Sequence, residues 1–493
     1  MGTLTVHDHG RMLDILFEGT PLVAEVLEKG SLLFPHPCGK KGKCKKCALS
    51  IVGSLSPYTS VEKEAGARLS CQTRLLGDAV ATLSEIARPL AGIQSEGIMP
   101  SFVLHPMADG YGIALDIGTT TLALRLIDLK NGSFMGDVTG ENPQRSIAAD
   151  VIGRMEAALS GQGDQLHTLL LNAVEPHIQS LLRDAGLQKQ DITMVVAAGN
   201  TTMLYLLTRR SPLSLSKVPF EADCLFDTTI DLSGIPTYLP RCLSAFVGAD
   251  ITCALIASGM CRREETALLV DIGTNGEIAL WHRGDLLVGS TAAGPVFEGS
   301  GIHFGMGSVN GAIDQVLWEG SRMRATTIGD APAIGICGSG LIDAVAYFLQ
   351  KGDIDETGFM ENDRLWITDV IYLTGQDIRN VQLAKGAIAA GVETLLQEAG
   401  LAADQVSALY VSGGFGSHIN LHSAASIGLI PAAWVNRATV LGNGALTGGS
   451  MLLLNREFQE ETRHIAERAK PLNFGGSSGF AAHYMEKMLF GIS

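Results

Sequence analysis

The feature that most constrains the fold of this chain is an internal repeat. Residues 112–128 resemble residues 267–285, and both contain Asp-Ile-Gly-Thr, at 116–119 and at 271–274. Each copy has the pattern of an apolar strand, a tight turn and a second apolar strand. Two such units at this separation predict two similar α/β lobes within one chain.

The turn in each copy predicts phosphate chemistry. An Asp at a strand end, followed by Gly and hydroxyl residues, can place backbone N–H and Thr hydroxyl groups around phosphate oxygens. The Asp carboxylate can meanwhile hold a hydrated Mg²⁺ ion. We expect the two lobes, placed at 110–262 and 263–493, to bring these turns to one site.

A third glycine-rich element, Tyr410-Val-Ser-Gly-Gly-Phe-Gly416, follows a helix predicted from Asp377 to Gly400. Glycines after a strand let an adenosine approach the backbone closely. Two phosphate turns and an adenosine turn resemble the layout of the sugar kinase–heat-shock–actin superfamily of ATPases. The alternative is a two-lobed α/β protein with ordinary glycine turns.

The N-terminal 88 residues carry a different signal. Their order of two strands (3–8 and 11–17), a helix after Thr20, a loop and two strands fits a small β-grasp domain. Four of the nine cysteines lie here, spaced Cys38-x5-Cys44-x2-Cys47-x23-Cys71. Thiolates so spaced on a glycine-bearing loop can converge on two irons, and the spacing resembles vertebrate-type [2Fe–2S] ferredoxins. A structural zinc site and unligated thiols are the alternatives.

Composition limits the partners. The net charge of −15 argues against nucleic acid, while residues 1–90 carry a net charge of +2 from 11 Lys+Arg and 9 Asp+Glu. The sequence contains no run of about 18 apolar residues, so it predicts no membrane span. The N-terminus lacks a signal-peptide pattern, and we therefore expect a cytoplasmic protein. A linker is predicted at 89–109. Five lysines form either a solvated loop or a docking patch for an acidic low-potential electron donor of the ferredoxin or flavodoxin type: Lys40, Lys41, Lys43, Lys45 and Lys46.

A [2Fe–2S] ferredoxin-like domain joined to such an ATPase resembles the reductive activators of corrinoid proteins. The resemblance covers nearly all of residues 110–450, although the short linker leaves no room for the extra linker and middle segments of longer members. Its motifs include Glu141-Asn-Pro-Gln144, Ala198-Gly-Asn-Thr-Thr-Met203, Gly248-Ala-Asp250, Asp271-Ile-Gly-Thr-Asn-Gly-Glu277, Ala293-Gly-Pro-Val-Phe-Glu-Gly299, Cys337-Gly-Ser-Gly-Leu-Ile-Asp343 and Gln382-Leu-Ala-Lys-Gly-Ala387.

The resemblance implies ATP-dependent one-electron reduction of a corrinoid protein, Co(II) to Co(I), in a corrinoid-dependent methyltransferase system. The four spaced cysteines would then hold the cluster, and Asp116 and Asp271 would organise Mg²⁺ and water. Glu298 is a candidate water-positioning carboxylate, as is Glu277, although capping or ion pairing explains both equally well. Phosphate contacts would come from Gly118, Thr119, Thr120, Gly273, Thr274 and Asn275, and adenosine contacts from Gly413, Gly414 and Gly416.

Other functions remain open at this point. The same chain could donate electrons to another low-potential enzyme under ATP control, or act as a redox-sensing ATP-binding switch without turnover. A homodimer is one option for its assembly. The sequence names neither the corrinoid partner nor the electron donor.

Overall fold

The computed structural model describes residues 2–8, 11–30, 32–33, 47–83, 99–319, 322–414 and 419–491. Within these ranges the chain forms a five-stranded sheet followed by two six-stranded sheets, with smaller sheets beside them. The described part of the chain contains no helix that is both long and apolar enough to cross a membrane.

The N-terminal unit is a mixed sheet with strand order β2-β1-β6-β4-β5. Its elements are β1 (Gly2–Asp8), β2 (Arg11–Phe17), α1 (Val23–Lys29), β3 (Leu32–Leu33), β4 (Ala48–Leu55), α2 (Ser60–Ala65), β5 (Arg68–Leu69) and β6 (Leu75–Leu83). The two predicted strands are confirmed. The helix begins later than predicted, at Val23, because Leu22 is held in a β-bridge with Arg74.

The first lobe is built on a sheet with strand order β10-β9-β8-β11-β13-β12. Strand β8 is central and is buried along most of its length, since it pairs with β9 in antiparallel and with β11 in parallel orientation. The elements are β7 (Phe102–Val103), β8 (Tyr111–Ile117), β9 (Thr121–Asp128), β10 (Ser133–Glu141), α3 (Val151–Ala157), α4 (Gly163–Ala185), β11 (Ile192–Gly199), α5 (Thr201–Leu207), α6 (Leu213–Ser216), β12 (Thr228–Leu232), β13 (Ile235–Leu239) and α7 (Ala249–Ser258).

The second lobe repeats this arrangement in a sheet ordered β23-β22-β14-β15-β16-β24. Strand β14 pairs with β15 in antiparallel and with β22 in parallel orientation, as β8 does with β9 and β11, so the predicted repeat is confirmed. The strands are β14 (Ala267–Ile272), β15 (Gly276–His282), β16 (Asp285–Thr291), β17 (Ala312–Glu319), β18 (Arg322–Thr327), β19 (Gly335–Ile336), β20 (Leu365–Trp366), β21 (Tyr372–Leu373), β22 (Ala408–Ser412), β23 (Ala438–Gly442) and β24 (Ala469–Pro471). The helices are α8 (Gly338–Lys351), α9 (Gly375–Glu398), α10 (Leu421–Ser426), α11 (Gly444–Leu454), α12 (Glu457–Arg468) and α13 (Ser478–Lys487).

Helix α9 begins at Gly375 rather than at Asp377. Thr374 is its N-cap, and the Asp377 carboxylate accepts the Thr374 backbone N–H at 2.8 Å in a capping box. Asp377 therefore lies at the third helical position, where its charge also complements the helix dipole. The glycine that ends the predicted helix, Gly400, lies just past the last turn with φ +66°.

Helices α7 and α11 pack against each other, α11 lies on β8 and β11 of the first lobe, and α7 also contacts β23 of the second lobe. A Cβ on Gly448 would lie 1.9 Å from the Cys253 carbonyl oxygen, so the two helices touch backbone to backbone. The second half of the predicted linker packs against the same region. Phe102 meets the Phe458 ring at 5.1 Å, and the His105 N–H donates to the Leu454 carbonyl. The division into domains stays a prediction.

Candidate nucleotide cleft and cysteine pair

The two Asp-Ile-Gly-Thr turns meet. One turn joins β8 to β9 and the other joins β14 to β15, and the Thr120 and Thr274 hydroxyl oxygens lie 3.0 Å apart between them. Thr119 and Thr274 are both buried. The structure therefore brings residues 154 positions apart into one cleft with a hydroxyl at each side.

Half-buried carboxylates line this cleft. Asp116 and Asp271 are each the penultimate residue of their strand. Burial raises the pKa of Asp116 to about 7, with a further contribution from the negative charge of Asp271. Burial likewise raises the pKa of Asp271 to about 6, and Glu298 adds to the effect. Concentrated, partly desolvated negative charge is what a divalent cation neutralises.

Two further carboxylates lie close enough to Asp271 to interact with its charge. Burial raises the pKa of Asp250 to about 8 and that of Glu277 well above its usual range, and each senses the charge of Asp271. Asp250 carried no predicted role, although its Gly248-Ala-Asp250 motif is visible in the sequence. Among the described residues, no three His, Cys, Asp or Glu side chains have the arrangement of a metal site.

Glu298 contacts the second turn directly. It ends a short 3₁₀ helix, Pro295–Glu298, and its Oε2 accepts a hydrogen bond from the Thr274 hydroxyl at 2.9 Å. A Cβ on Gly273 would approach Glu298 Oε1 to 3.5 Å, which is ordinary contact distance. The Asn275 side chain instead hydrogen-bonds Glu277. Glu298 therefore lies directly against the second Asp-Ile-Gly-Thr turn.

The glycines after β22 serve different purposes. Gly413 has φ +128°, and a Cβ there would lie 2.3 Å from the Ile272 carbonyl oxygen, so the neighbouring strand already requires glycine. Gly414 faces open space, with no atom within 4 Å of an added Cβ. Gly416 lies outside the described residues. The open space beside Gly414 would therefore allow an adenosine to approach the backbone closely. At position 413, the packing of the neighbouring strand is sufficient to explain why the residue is glycine.

Polar groups from elsewhere in the chain support the cleft. The Asn443 amide donates to Asp116 Oδ2 at 2.8 Å, and the Ser412 hydroxyl bonds Asp271. Arg154 is fully buried and donates to the Thr119 carbonyl at 2.5 Å. Sequence reasoning missed this residue, and its only signal was one cation inside the apolar stretch Val-Ile-Gly-Arg-Met.

Two of the four predicted cluster ligands come together in the N-terminal unit. The Cys47 and Cys71 sulfurs are buried and 3.1 Å apart, well beyond the length of a disulfide bond. The contact with Cys71 and burial raise the pKa of Cys47. Convergent buried sulfurs fit a thiolate-bound metal group, and this pair suits an iron–sulfur cluster or zinc. Cys38, Cys44 and the five lysines lie outside the described residues.

Comparison with known proteins identifies the family. Residues 265–492 match the C-terminal domain of RACo, the ASKHA domain, and residues 111–263 match the RACo middle region. The chain is 31% identical over 421 residues to the corrinoid activation enzyme RamQ of Eubacterium limosum, covering 77% of this chain and 70% of that protein. The chain belongs to the family of corrinoid activation enzymes. Its first lobe is the family's middle region, so the expectation that no middle segment is present was wrong.

Two more relatives support the assignment to corrinoid activation enzymes. The [Co(II) methylated amine-specific corrinoid protein] reductase of Methanosarcina barkeri is 26% identical over 399 residues, covering 73% of this chain and 72% of that protein. A solved structure described as a reductive activator for corrinoid, iron–sulfur protein superimposes with a TM-score of 0.74 at 24% identity, over 100% of this chain and 98% of that one. The superposition shows that the two proteins share a fold.

Proposed function

We propose that this corrinoid activation enzyme uses ATP to drive one-electron reduction of a corrinoid protein from Co(II) to Co(I), in service of a corrinoid-dependent methyltransferase. The observation that carries the proposal is the meeting of the two Asp-Ile-Gly-Thr turns across the cleft. The substrate is inferred from the relatives, one named for corrinoid activation and one for reduction of a Co(II) corrinoid protein.

Mg-ATP would bind between the lobes. Asp116 and Asp271 would hold the hydrated Mg²⁺, whose charge would lower the pKa values that burial raises. Glu298, hydrogen-bonded to Thr274, would position the attacking water. The turns Gly118–Thr119–Thr120 and Gly273–Thr274–Asn275 would surround the phosphates, with the adenosine beside Gly414 and flanked by Gly413 and Gly416.

The cysteine pair supports the electron-transfer half of the proposal. Cys47 and Cys71, together with Cys38 and Cys44, would hold a [2Fe–2S] cluster, which supplies one electron at a time. We propose that the lysine-rich loop docks an acidic ferredoxin- or flavodoxin-type donor by charge attraction. Within the described residues no cysteine forms a disulfide bond, which favours a reducing compartment, and we place the reaction in the cytoplasm.

ATP is needed because the reduction is uphill. Plant-type [2Fe–2S] centres lie near −400 mV, and the corrinoid Co(II)/Co(I) couple lies lower. Each ~59 mV makes a one-electron transfer about tenfold less favourable. The nucleotide can offset this only if its binding or hydrolysis and the state of the partner bias each other. The cleft between the lobes is the element whose closure would carry that coupling.

The test is formation of Co(I). The full chain, reduced under anaerobic conditions, is mixed with Mg-ATP and the Co(II) form of a methyltransferase corrinoid protein, and the Co(I) absorption band is followed. Asp271→Ala should slow Co(I) formation by about 100-fold, the scale of a lost transition-state contact, and Cys47→Ser should abolish it. Asp285→Ala and Cys224→Ser are the matched controls. Equal Co(I) formation without ATP would contradict the role of the cleft, and no Co(I) with any corrinoid partner would favour a regulatory switch.

A further inference from the structure

The first phosphate turn has a buried cation behind it. Arg154 on α3 is fully buried, and its guanidinium donates to the Thr119 carbonyl at 2.5 Å, to the Ala148 carbonyl at 3.1 Å and to Gln144 Oε1 at 3.2 Å. These acceptors are all neutral. Within the described ranges, no carboxylate lies within 4.0 Å of this guanidinium.

A buried guanidinium among neutral acceptors is costly, because no carboxylate pairs with it directly. Burial accordingly lowers the pKa of Arg154 to about 10, while Asp150 and, across the cleft, Glu298 oppose that change. An anion at the site would offset that cost. Phosphate oxygens at the first turn would supply that negative charge.

The carbonyl oxygens of this turn are all engaged on the side of the first lobe. Gly118 O accepts from the Asn142 side-chain amide at 2.8 Å, Thr119 O from Arg154, and Thr120 O from the Asn142 backbone N–H at 2.7 Å. In a trans peptide the C=O and N–H bonds point in opposite directions. Holding these carbonyls therefore directs the N–H groups of Thr119 and Thr120 away from Asn142 and Arg154.

The second turn is held differently. Its Thr274 carbonyl accepts from the Gly294 N–H at 2.9 Å, and its Gly273 N–H is turned inward onto the Asn275 carbonyl. Its charged neighbours are the carboxylates Asp271 and Glu298. The first turn thus has a buried cation behind it in addition to its own carboxylate, Asp116, whereas the charged neighbours of the second turn are carboxylates.

We propose that Arg154 and Asn142 are positioning residues for the nucleotide phosphates. They hold the carbonyls of the first turn so that its N–H groups face the phosphates, and Arg154 adds positive charge from behind without touching the nucleotide. This inference rests on the proposed binding of ATP in the cleft.

The test separates phosphate recognition from folding. Affinities of the full chain for adenosine, ADP and a non-hydrolysable Mg-ATP analogue are measured by calorimetry. Arg154→Gln should weaken ADP and the ATP analogue about tenfold or more, the worth of a charge-assisted hydrogen bond, and leave adenosine unchanged. Arg154→Lys, which keeps the charge, should recover most of that loss.

Arg125→Gln is the matched control. Arg125 is also a buried arginine of the first lobe, but it pairs with Asp137 at 2.6 Å and bonds no residue of the turn. The Arg125→Gln variant should leave unchanged the ratio of the affinity for the ATP analogue to the affinity for adenosine. Should Arg154→Gln fail to fold, Asn142→Ala removes the donor to Gly118 O and leaves the cation, and it should weaken ADP several-fold with adenosine unaffected.

The outcomes are distinct. An unmodified chain that binds no ATP analogue would contradict the proposed function itself. An unmodified chain that binds the analogue, with Arg154→Gln or Asn142→Ala changing all three ligands equally or none of them, would overturn only the positioning role. An equal loss of phosphate affinity in Arg125→Gln would do the same.

Discussion

Replacing Asp116 by Asn should stabilise the nucleotide-free protein while removing its response to Mg-ATP. Asp116 is held in the cleft by the Asn443 amide at 2.8 Å, and an Asn at this position still offers an oxygen to that donor. What the substitution removes is a charge that burial and Asp271 both disfavour. A metal-binding carboxylate is thus expected to cost stability until the metal arrives.

The magnitude follows from the pKa of Asp116, which rises from 3.8 to about 7. Each pKa unit corresponds to 1.36 kcal/mol, so the shift sets a ceiling of about 4 kcal/mol above pH 7. Because the carboxylate keeps some solvent contact, we expect about half, or ~2 kcal/mol. In thermal unfolding this corresponds to a rise in Tm of about 4–8 °C for lobes of this size.

The gain should depend on pH. Between about pH 4 and pH 7 the unfolded chain has lost the Asp116 proton while the folded chain retains it, so unfolding releases a proton and the free energy of unfolding falls as pH rises. Above pH 7 both states are ionised and the slope from this group disappears. The stability difference between Asp116→Asn and the unmodified chain should therefore grow from pH 5 to pH 7 and then level off.

The assay is thermal unfolding of both proteins at several pH values, without and with Mg-ATP. Asp128→Asn, on the same hairpin but at its outer end, is the control and should shift Tm by less than about 1 °C. The reasoning is refuted if Asp116→Asn is no more stable than the unmodified chain at pH 8, or if its gain is the same at pH 5. Retained stabilisation by Mg-ATP would instead argue against a metal role for Asp116.

Three further predictions concern other parts of the chain. In denaturant unfolding, Gly448→Ala should destabilise the protein by about 3 kcal/mol or more, because the added Cβ would lie 1.9 Å from the Cys253 carbonyl oxygen. Its control is Gly449→Ala, whose added Cβ would lie 3.6 Å from its nearest neighbour and which should be neutral or stabilising. Cys47→Ser should lose bound iron and sulfide by chemical analysis and leave ATP binding intact, and one tightly bound zinc without sulfide in the unmodified chain would contradict the cluster. Glu298→Gln keeps an acceptor for the Thr274 hydroxyl but loses the charge, so steady-state kinetics should show kcat falling far more than KM rises.

The sequence alone was sufficient for the architecture of the lobes. The repeat of Asp-Ile-Gly-Thr between apolar stretches predicted two strand–turn–strand units, and β8–β9 and β14–β15 confirm both. Alternation and turn residues are local signals, so such elements can be read from neighbouring residues. The spacing of the cysteines likewise predicted convergence, and Cys47 and Cys71 do converge.

What only the tertiary structure decided is which groups act on the turns from a distance. Asn443 reaches Asp116 across 327 residues of sequence, and Arg154 reaches Thr119 across 35. Neither contact has a local pattern, since each depends on how a helix from elsewhere in the chain packs against the sheet. The same holds for Gly413, whose glycine is required by the Ile272 backbone of the adjacent strand. Local sequence encodes the strands and turns, whereas the charge and hydrogen bonds that surround a turn come from long-range packing, which has no period to read.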